Sequence, residues 1–273
     1  MAGDALAQAI EHTLLRPDAS ESDVRQTLAE AVDWGCFGVC VQPYWVAPLR
    51  DAPIPVISVT GFPFGADRPD HKAHGAATAR DDGAAEIDMV INQGAIKSGD
   101  WKAYAADIAA VRAAIPDLVL KTILETGLLT DGERDEAARI ARAEGVDILK
   151  TCTGYCSRGA TVEDVEALVK FGPVKASAGI RTREQAEALL VAGATRLGTS
   201  AARAILGEGR AVQGNLDPAA LLGTAEAARR ETRRVLEENA GRPGHIFNLG
   251  HGVLPGTPIS SVEAMVGVVR EGL

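Results

Sequence analysis

The sequence predicts a closed (β/α)₈ (TIM) barrel of α/β class carrying a carboxy-terminal α/β appendage, and three observations carry that reading. Eight short β-rich runs alternate with Ala-rich amphipathic stretches up to residue 206. Most of those runs are unbroken stretches of Val, Ile and Leu, as parallel strands covered on both faces require. Eight strand–loop–helix units in about 200 residues fit a closed barrel better than an open doubly wound sheet, and no Gly-x-Gly-x-x-Gly motif follows the first run.

The strand candidates are His12–Leu15, Gly38–Gln42, Val56–Thr60, Glu86–Asn92, Val119–Glu125, Asp147–Lys150, Val174–Ser177 and Thr195–Thr199. Between the first two, Val24, Leu28 and Val32 recur at i, i+4 and i+8, the spacing of one helix face. Capping-box spacing at Ser20 and Asp23, Thr130 and Glu133, Thr161 and Asp164, and Thr182 and Gln185 marks four helix starts. After Gly207-Glu-Gly-Arg210 the pattern changes. A charged helix is expected over 218–239, then a strand-like run in Gly244–Val253 and a short helix over 261–270. The division expected is a barrel over 1–206 and a separate segment over 211–273.

Apolar residues make up 46% and charged residues 24% of the 273-residue chain, which fills a globular core and excludes a wholly disordered chain. A net charge of −9 excludes the broad basic surface of a nucleic-acid binder. No apolar run approaches the roughly 18 residues of a membrane span, and the start of the chain lacks the basic region of a signal peptide. Cys36, Cys40, Cys152 and Cys156 are too few for a disulfide scaffold at this length. A cytoplasmic location is the expectation.

Active sites of such barrels lie at the carboxy-terminal ends of the strands. Four ionisable residues interrupt otherwise apolar strand runs: Asp88, Lys121, Lys150 and Lys175. In a low-dielectric barrel, a lysine beside another cation has its charged form disfavoured and becomes an amine able to attack a carbonyl. Asp88 can serve as a proton relay. Taken singly, each lysine also fits a strand-end residue snorkelling to solvent or pairing with Asp88 or Glu125. Four in successive strands point to Schiff-base chemistry without choosing the substrate.

Ala178-Gly-Ile-Arg181 and Leu197-Gly-Thr-Ser200 follow candidate strands seven and eight, each ahead of a helix. This is the usual phosphate site of a barrel: glycines expose backbone N–H groups, the helix start adds positive potential, and Arg181 and Ser200 add donors. Elsewhere the signals are weaker. His71 and His74 read as a helix-face pair without companion metal ligands, and neither cysteine pair has zinc spacing. Cys40 and Cys152 read as small core or near-site residues. Arg229, Arg230, Arg233 and Arg234 alternate with glutamates, as on a solvated helix face.

Over about residues 5–206 the chain resembles the deoxyribose-phosphate aldolases, class I aldolases on a (β/α)₈ barrel. The matching stretches run in order: Glu11-His-Thr-Leu-Leu-Arg-Pro17, Val39-Cys-Val41, Gly61-Phe-Pro63, Glu86-Ile-Asp-Met-Val-Ile-Asn92, Asp147-Ile-Leu-Lys-Thr151 with Thr153-Gly154, Gly159-Ala-Thr161, Val174-Lys-Ala-Ser177, Gly179-Ile-Arg-Thr182 and Gly198-x-Ser200. The resemblance implies that Lys150 forms the Schiff base, Lys175 depresses its pKa and Asp88 relays protons through water. It implies that Gly154, Gly179, Arg181, Gly198 and Ser200 hold the phosphate of a small phosphorylated sugar. The family reaction is reversible cleavage of 2-deoxy-D-ribose 5-phosphate to D-glyceraldehyde 3-phosphate and acetaldehyde, with no metal or organic cofactor. A homodimer is a further expectation. The chain departs from the family pattern at Glu11 (usually Asp), Cys152 (usually Ser) and Ala178 (usually Gly), the last of which crowds the backbone where phosphate must approach.

The tail resembles another family. Val212-Gln-Gly-Asn-Leu-Asp-Pro218 and Gly244-His-Ile-Phe-Asn-Leu-Gly-His-Gly-Val253 are similar to the carboxy-terminal end of uroporphyrinogen decarboxylase, whose cleft histidine matches His251. The amino-terminal part of that enzyme has no counterpart here. Two alternatives to an active aldolase follow: a catalytically impaired barrel whose tail mediates self-association or partner binding, and a porphyrinogen decarboxylase.

Overall fold

The computed structural model describes residues 3–156, 158–207, 212–214, 216–238, 245–250 and 252–271. Eight parallel strands close into a barrel in sequence order: β1 (Ile10–Leu14), β2 (Gly38–Val41), β3 (Val56–Thr60), β4 (Glu86–Val90), β5 (Val119–Ile123), β6 (Ile148–Lys150), β7 (Val174–Ser177) and β8 (Arg196–Thr199). β8 pairs back onto β1, with Glu11 opposite Gly198. The eight-stranded expectation holds, and the strand positions agree to within two or three residues. Most differences fall at the carboxy-terminal ends, where the strands stop at Val41, Val90 and Ile123, one or two residues short of the expected bounds.

A short helix α1 (Gly3–Ala7) precedes the barrel. The outer layer is α2 (Glu21–Asp33), α3 (Pro69–Asp82), α4 (Gln93–Lys97), α5 (Trp101–Ala114), α6 (Asp131–Ala143), α7 (Val162–Leu168), α8 (Arg183–Val191) and α9 (Ala202–Gly207). Two 3₁₀ turns, Pro43–Trp45 and Ala47–Leu49, stand where a helix would connect β2 to β3. The capping boxes at Ser20, Thr130 and Thr182 form as expected. At Thr161 the hydroxyl caps the helix but the reciprocal bond is not made. The Asp164 carboxylate instead accepts from the Thr126 hydroxyl at 2.8 Å and pairs with Arg158.

Strand parity explains how an apolar run carries charge. Ile87, Met89, Leu120, Leu149, Val174 and Ala176 point outward into the main core beneath the helices. The residues between them, Asp88, Lys121, Lys150 and Lys175, therefore point inward. The opposite side of the lumen is apolar, built from Cys40, Ile57 and Val59. Outside the barrel, Lys72 on α3 is fully buried against Asp107 on α5 at 2.7 Å, and its ammonium also donates to the Val90 carbonyl.

Residues 1–206 and 207–273 form two compact units. In the second, β9 (Val212–Gln213) pairs in parallel with β10 (His245–Ile246), and α10 (Ala225–Glu238) and α11 (Ile259–Glu271) complete it. The helix expected over 218–239 is two elements, a 3₁₀ turn at Pro218–Leu222 and then α10, divided at Gly223 where the backbone is extended. The core of this unit is Leu216, Leu221, Ala228, Val235 and Ala264. The four arginines of α10 are exposed, as a solvated face requires. His251 lies outside the described residues.

Candidate active site

Asp88 is the centre of the lumen. Its Oδ1 accepts from Lys121 Nζ at 2.9 Å, and its Oδ2 accepts from Lys150 at 2.8 Å and Lys175 at 2.7 Å. All four side chains are buried. Sequence adjacency does not make this cluster; the barrel does, by setting Asp88 opposite Lys121 across β4–β5 and Lys150 opposite Lys175 across β6–β7. Beneath them, Glu11 pairs with Lys175 and lies 3.4 Å from Lys121, and Glu86 pairs with Lys121.

The protonation states follow from these neighbours. Burial pushes the Asp88 carboxyl up, but the three ammonium groups outweigh it and hold Asp88 well below the usual carboxylate range. Burial likewise pushes Lys175 down, yet Asp88 and Glu11 outweigh it and hold this ammonium well above its ordinary value. Lys121 is raised for the same reason, with Asp88, Glu11 and Glu86 overcoming burial. The mutual depression expected for the lysine set is therefore outweighed by the carboxylates at Lys121 and Lys175, which stay charged.

Lys150 is the lysine of the three that lines the cavity at the barrel mouth, a space of about 310 Å³. Gly154, Gly179, Arg181, Gly198 and Ser200, the expected phosphate residues, all line the same cavity. Two backbone conformations shape that wall. Gly154 has φ of +91° and Gly179 +78°, which glycine adopts freely. Between the loops Ala178 also has φ of +74°, where a side chain costs about 1–2 kcal/mol. The Ala160 N–H donates to the Ala178 carbonyl at 3.0 Å and helps hold it there.

Further residues shape the site, and of these only Glu125 was named from sequence, as a partner for a strand-end lysine. Thr199 Oγ1 donates to the Ile180 carbonyl at 2.7 Å and accepts from the Ala201 N–H, tying together the loops after β7 and β8. Tyr155 donates its hydroxyl to the Leu15 carbonyl at 3.0 Å and packs edge-on against Phe62, bridging the mouth. Glu125, at φ of +50°, accepts from the Thr153 N–H and hydroxyl and fixes the start of the Tyr155 loop. Only the inward parity of Glu11 and the strand position of Arg196 could have signalled the lower charges. His71 and His74 are exposed on α3, and Cys40 and Cys152 are buried near the site.

Comparison with known proteins gives this geometry a family. The model for DeoC/LacD family aldolases matches residues 6–208. The chain belongs to the DeoC/LacD aldolase family. Over 205 residues it is 48% identical to the deoxyribose-phosphate aldolase of Lactococcus lactis, spanning 72% of this chain and 93% of that one. It is 45% identical to the enzyme of that name from Thermus thermophilus over 213 residues, 75% of this chain and 97% of the relative. Among solved structures, the deoxyribose-phosphate aldolase from Aeropyrum pernix, described as tetrameric, superimposes with a TM-score of 0.71 at 32% identity, covering 76% of this chain and 92% of that one. The model for uroporphyrinogen decarboxylase matches residues 182–272, so the two family matches overlap at the end of the barrel. Among the described residues no helix is long and apolar enough to cross a membrane.

Proposed function

We propose that this DeoC/LacD family member is a class I aldolase that reversibly cleaves 2-deoxy-D-ribose 5-phosphate to D-glyceraldehyde 3-phosphate and acetaldehyde. The observation that carries the chemistry is Lys150 at the cavity floor, hydrogen-bonded to a carboxylate that two further ammonium groups keep ionised. The phosphate end of the sugar lies against Gly154, Gly179, Arg181, Gly198 and Ser200, which directs the aldehyde end toward Lys150.

In the cleavage direction Lys150 Nζ attacks C1 of the open-chain sugar, and loss of one water gives the protonated imine. Loss of the proton on the C3 hydroxyl lets the C2–C3 bond break, and its electron pair moves through the imine to nitrogen. Glyceraldehyde 3-phosphate leaves, and the remaining enamine takes a proton at C2. One water hydrolyses the resulting imine, releasing acetaldehyde and restoring the amine. Asp88, through water, carries the protons between these steps, while Lys175 remains the fixed cation beside Lys150.

No metal or organic cofactor takes part, the location is cytoplasmic and the barrel assembles as a homodimer. Residues 211–273 are an appended segment similar to the end of uroporphyrinogen decarboxylase, supported by the family match there. A coupled assay for glyceraldehyde 3-phosphate tests the reading. Wild type turns over, and Lys150→Ala loses turnover while its unfolding midpoint stays close to wild type. Undiminished activity in Lys150→Ala contradicts it.

A further inference from the structure

The floor of the barrel carries a cation that the reaction scheme does not use. Arg196 opens β8 and Glu86 opens β4, at the amino-terminal ends of the strands and away from the cavity. Arg196 is in register with Lys175 across β7–β8, and Lys175 with Lys150 across β6–β7. Three cations thus form one row over three adjacent strands, descending with the strand tilt from the mouth at Lys150 to the floor at Arg196.

The Arg196 guanidinium stacks on Phe37 at 3.6 Å from the ring centroid. Its Nε lies 3.8 Å from Glu11 Oε1, and its Nη2 4.0 Å from Glu86 Oε1. These separations are too long for hydrogen bonds, so Arg196 acts on the two carboxylates through its charge. Among the described residues, the ionic groups facing the lumen cluster come from six strands. Glu11 comes from β1, Glu86 and Asp88 from β4, Lys121 from β5, Lys150 from β6, Lys175 from β7 and Arg196 from β8. β2 contributes the Cys40 thiol, which burial pushes up to about 11, and β3 the apolar Ile57 and Val59. Four cationic groups therefore face three carboxylates. Lys121 and Lys175 are each held by two or more of those carboxylates, whereas Lys150 meets Asp88 alone and opens to the cavity.

We propose that Arg196 is a positioning residue for the aldol reaction: by drawing on the charge of Glu11 and Glu86 at the barrel floor, it leaves the lysine row one counter-ion short and favours Lys150 as the amine. The inference rests on the Schiff-base reading of Lys150. Without Arg196, three lysines face three carboxylates, and the pH dependence of attack by Lys150 is expected to move alkaline. Two strand spacings put the charges about 10 Å apart, where an effective dielectric constant near 20 gives a shift of about one pH unit. Arg196 is 23% exposed, and solvent screening lowers this to about 0.5–1 unit.

The test uses the full-length chain and the variants Arg196→Gln, Arg196→Lys and Glu86→Gln. Two curves are measured from about pH 5 to 10: kcat/KM for 2-deoxyribose 5-phosphate, and acylation of Lys150 by acetic anhydride, read on its peptide by mass spectrometry. The second needs no turnover. Arg196→Gln is expected to move both curves alkaline by about 0.5–1 unit, a loss of roughly 3–10-fold on the acid limb that vanishes at high pH. Glu86→Gln, which removes a negative charge, is expected to move them the opposite way, and Arg196→Lys to follow wild type. Unshifted acylation curves overturn the inference, as does Arg196→Lys shifting as far as Arg196→Gln, or a loss of kcat/KM equal at all pH values. If Arg196→Gln fails to fold, the acid shift of Glu86→Gln decides the matter alone. Acylation curves that shift as stated in a wild-type background showing no cleavage support the charge coupling and overturn the Schiff-base reading instead.

Discussion

Replacing Asp88 with asparagine preserves the shape of the lumen and removes one negative charge from under three ammonium groups. The carboxylate is fully buried and accepts from Lys121, Lys150 and Lys175 at 2.7–2.9 Å. Removing one partner of a buried ion pair costs about 3–5 kcal/mol, because the charge left behind is uncompensated. For a unit of this size each kcal/mol is worth about 2–4 °C, so the unfolding midpoint of Asp88→Asn should fall by roughly 6–20 °C near neutral pH. The pH dependence has a definite sign. Asp88 is depressed in the fold, so its contribution is present above the unfolded value near 3.9 (roughly) and is lost as pH falls through the folded one. Lys121 and Lys175 are raised, so theirs is complete below about 10.4 and is lost as pH rises through their folded values. Wild type should thus show a stability plateau from about pH 4 to 10. The penalty in Asp88→Asn should be largest within it and shrink at the alkaline end, where the stranded lysines shed protons. Turnover should drop by about 10²–10⁴-fold if Asp88 relays protons. Thermal unfolding followed by circular dichroism across pH, with the coupled turnover assay, reads both effects. A midpoint within about 2 °C of wild type at neutral pH, or a penalty independent of pH, would refute the electrostatic account.

Three further substitutions test separate parts of the structure. Ala178→Gly relieves a side chain at φ of +74° and should gain about 0.5–1 kcal/mol after the entropy of glycine is set against it, read as a higher urea midpoint; a lower midpoint refutes the strain. Arg181→Gln should raise KM for 2-deoxyribose 5-phosphate by roughly tenfold and leave cleavage of unphosphorylated 2-deoxyribose unchanged, whereas equal loss on both substrates removes Arg181 from the phosphate site. Lys72→Met strands the buried Asp107 carboxylate and should cost about 3–5 kcal/mol in chemical denaturation, and adding Asp107→Leu should recover much of it. No recovery in the double variant counts against an ion pair as the cause.

The barrel was legible because its signal is repetitive. Eight β-rich runs recur, most of them unbroken in Val, Ile and Leu, four of the helices between them open on capping-box spacing, and the lysines stood out as charges inside apolar strands. Val56–Thr60 and Val174–Ser177 were read to the residue. Parity told that Asp88 and Lys150 face inward, but the distance between them depends on barrel closure, a long-range property that local pattern does not carry. For that reason Glu11 looked like a variation on a family motif, when in the fold it anchors Lys175. Arg196 looked like part of one more strand, and nothing in the sequence marked Tyr155, whose hydroxyl reaches the Leu15 carbonyl only in the fold. The expectation that neighbouring lysines depress one another failed for Lys121 and Lys175 because it counted cations and left out the carboxylates between them. In the second unit, Gly223 interrupts a run whose charge pattern reads as one helix. A single extended residue decides that break, and composition does not reveal it.

The most direct test of the central claim is to trap the intermediate. The protein is incubated with 2-deoxyribose 5-phosphate and sodium borohydride, which reduces an imine to a stable secondary amine, and is then analysed by intact and peptide mass spectrometry. The account predicts one adduct, on the peptide carrying Lys150, and its loss in Lys150→Ala. An adduct on Lys121 or Lys175, or a folded wild-type protein that gains none, would contradict it.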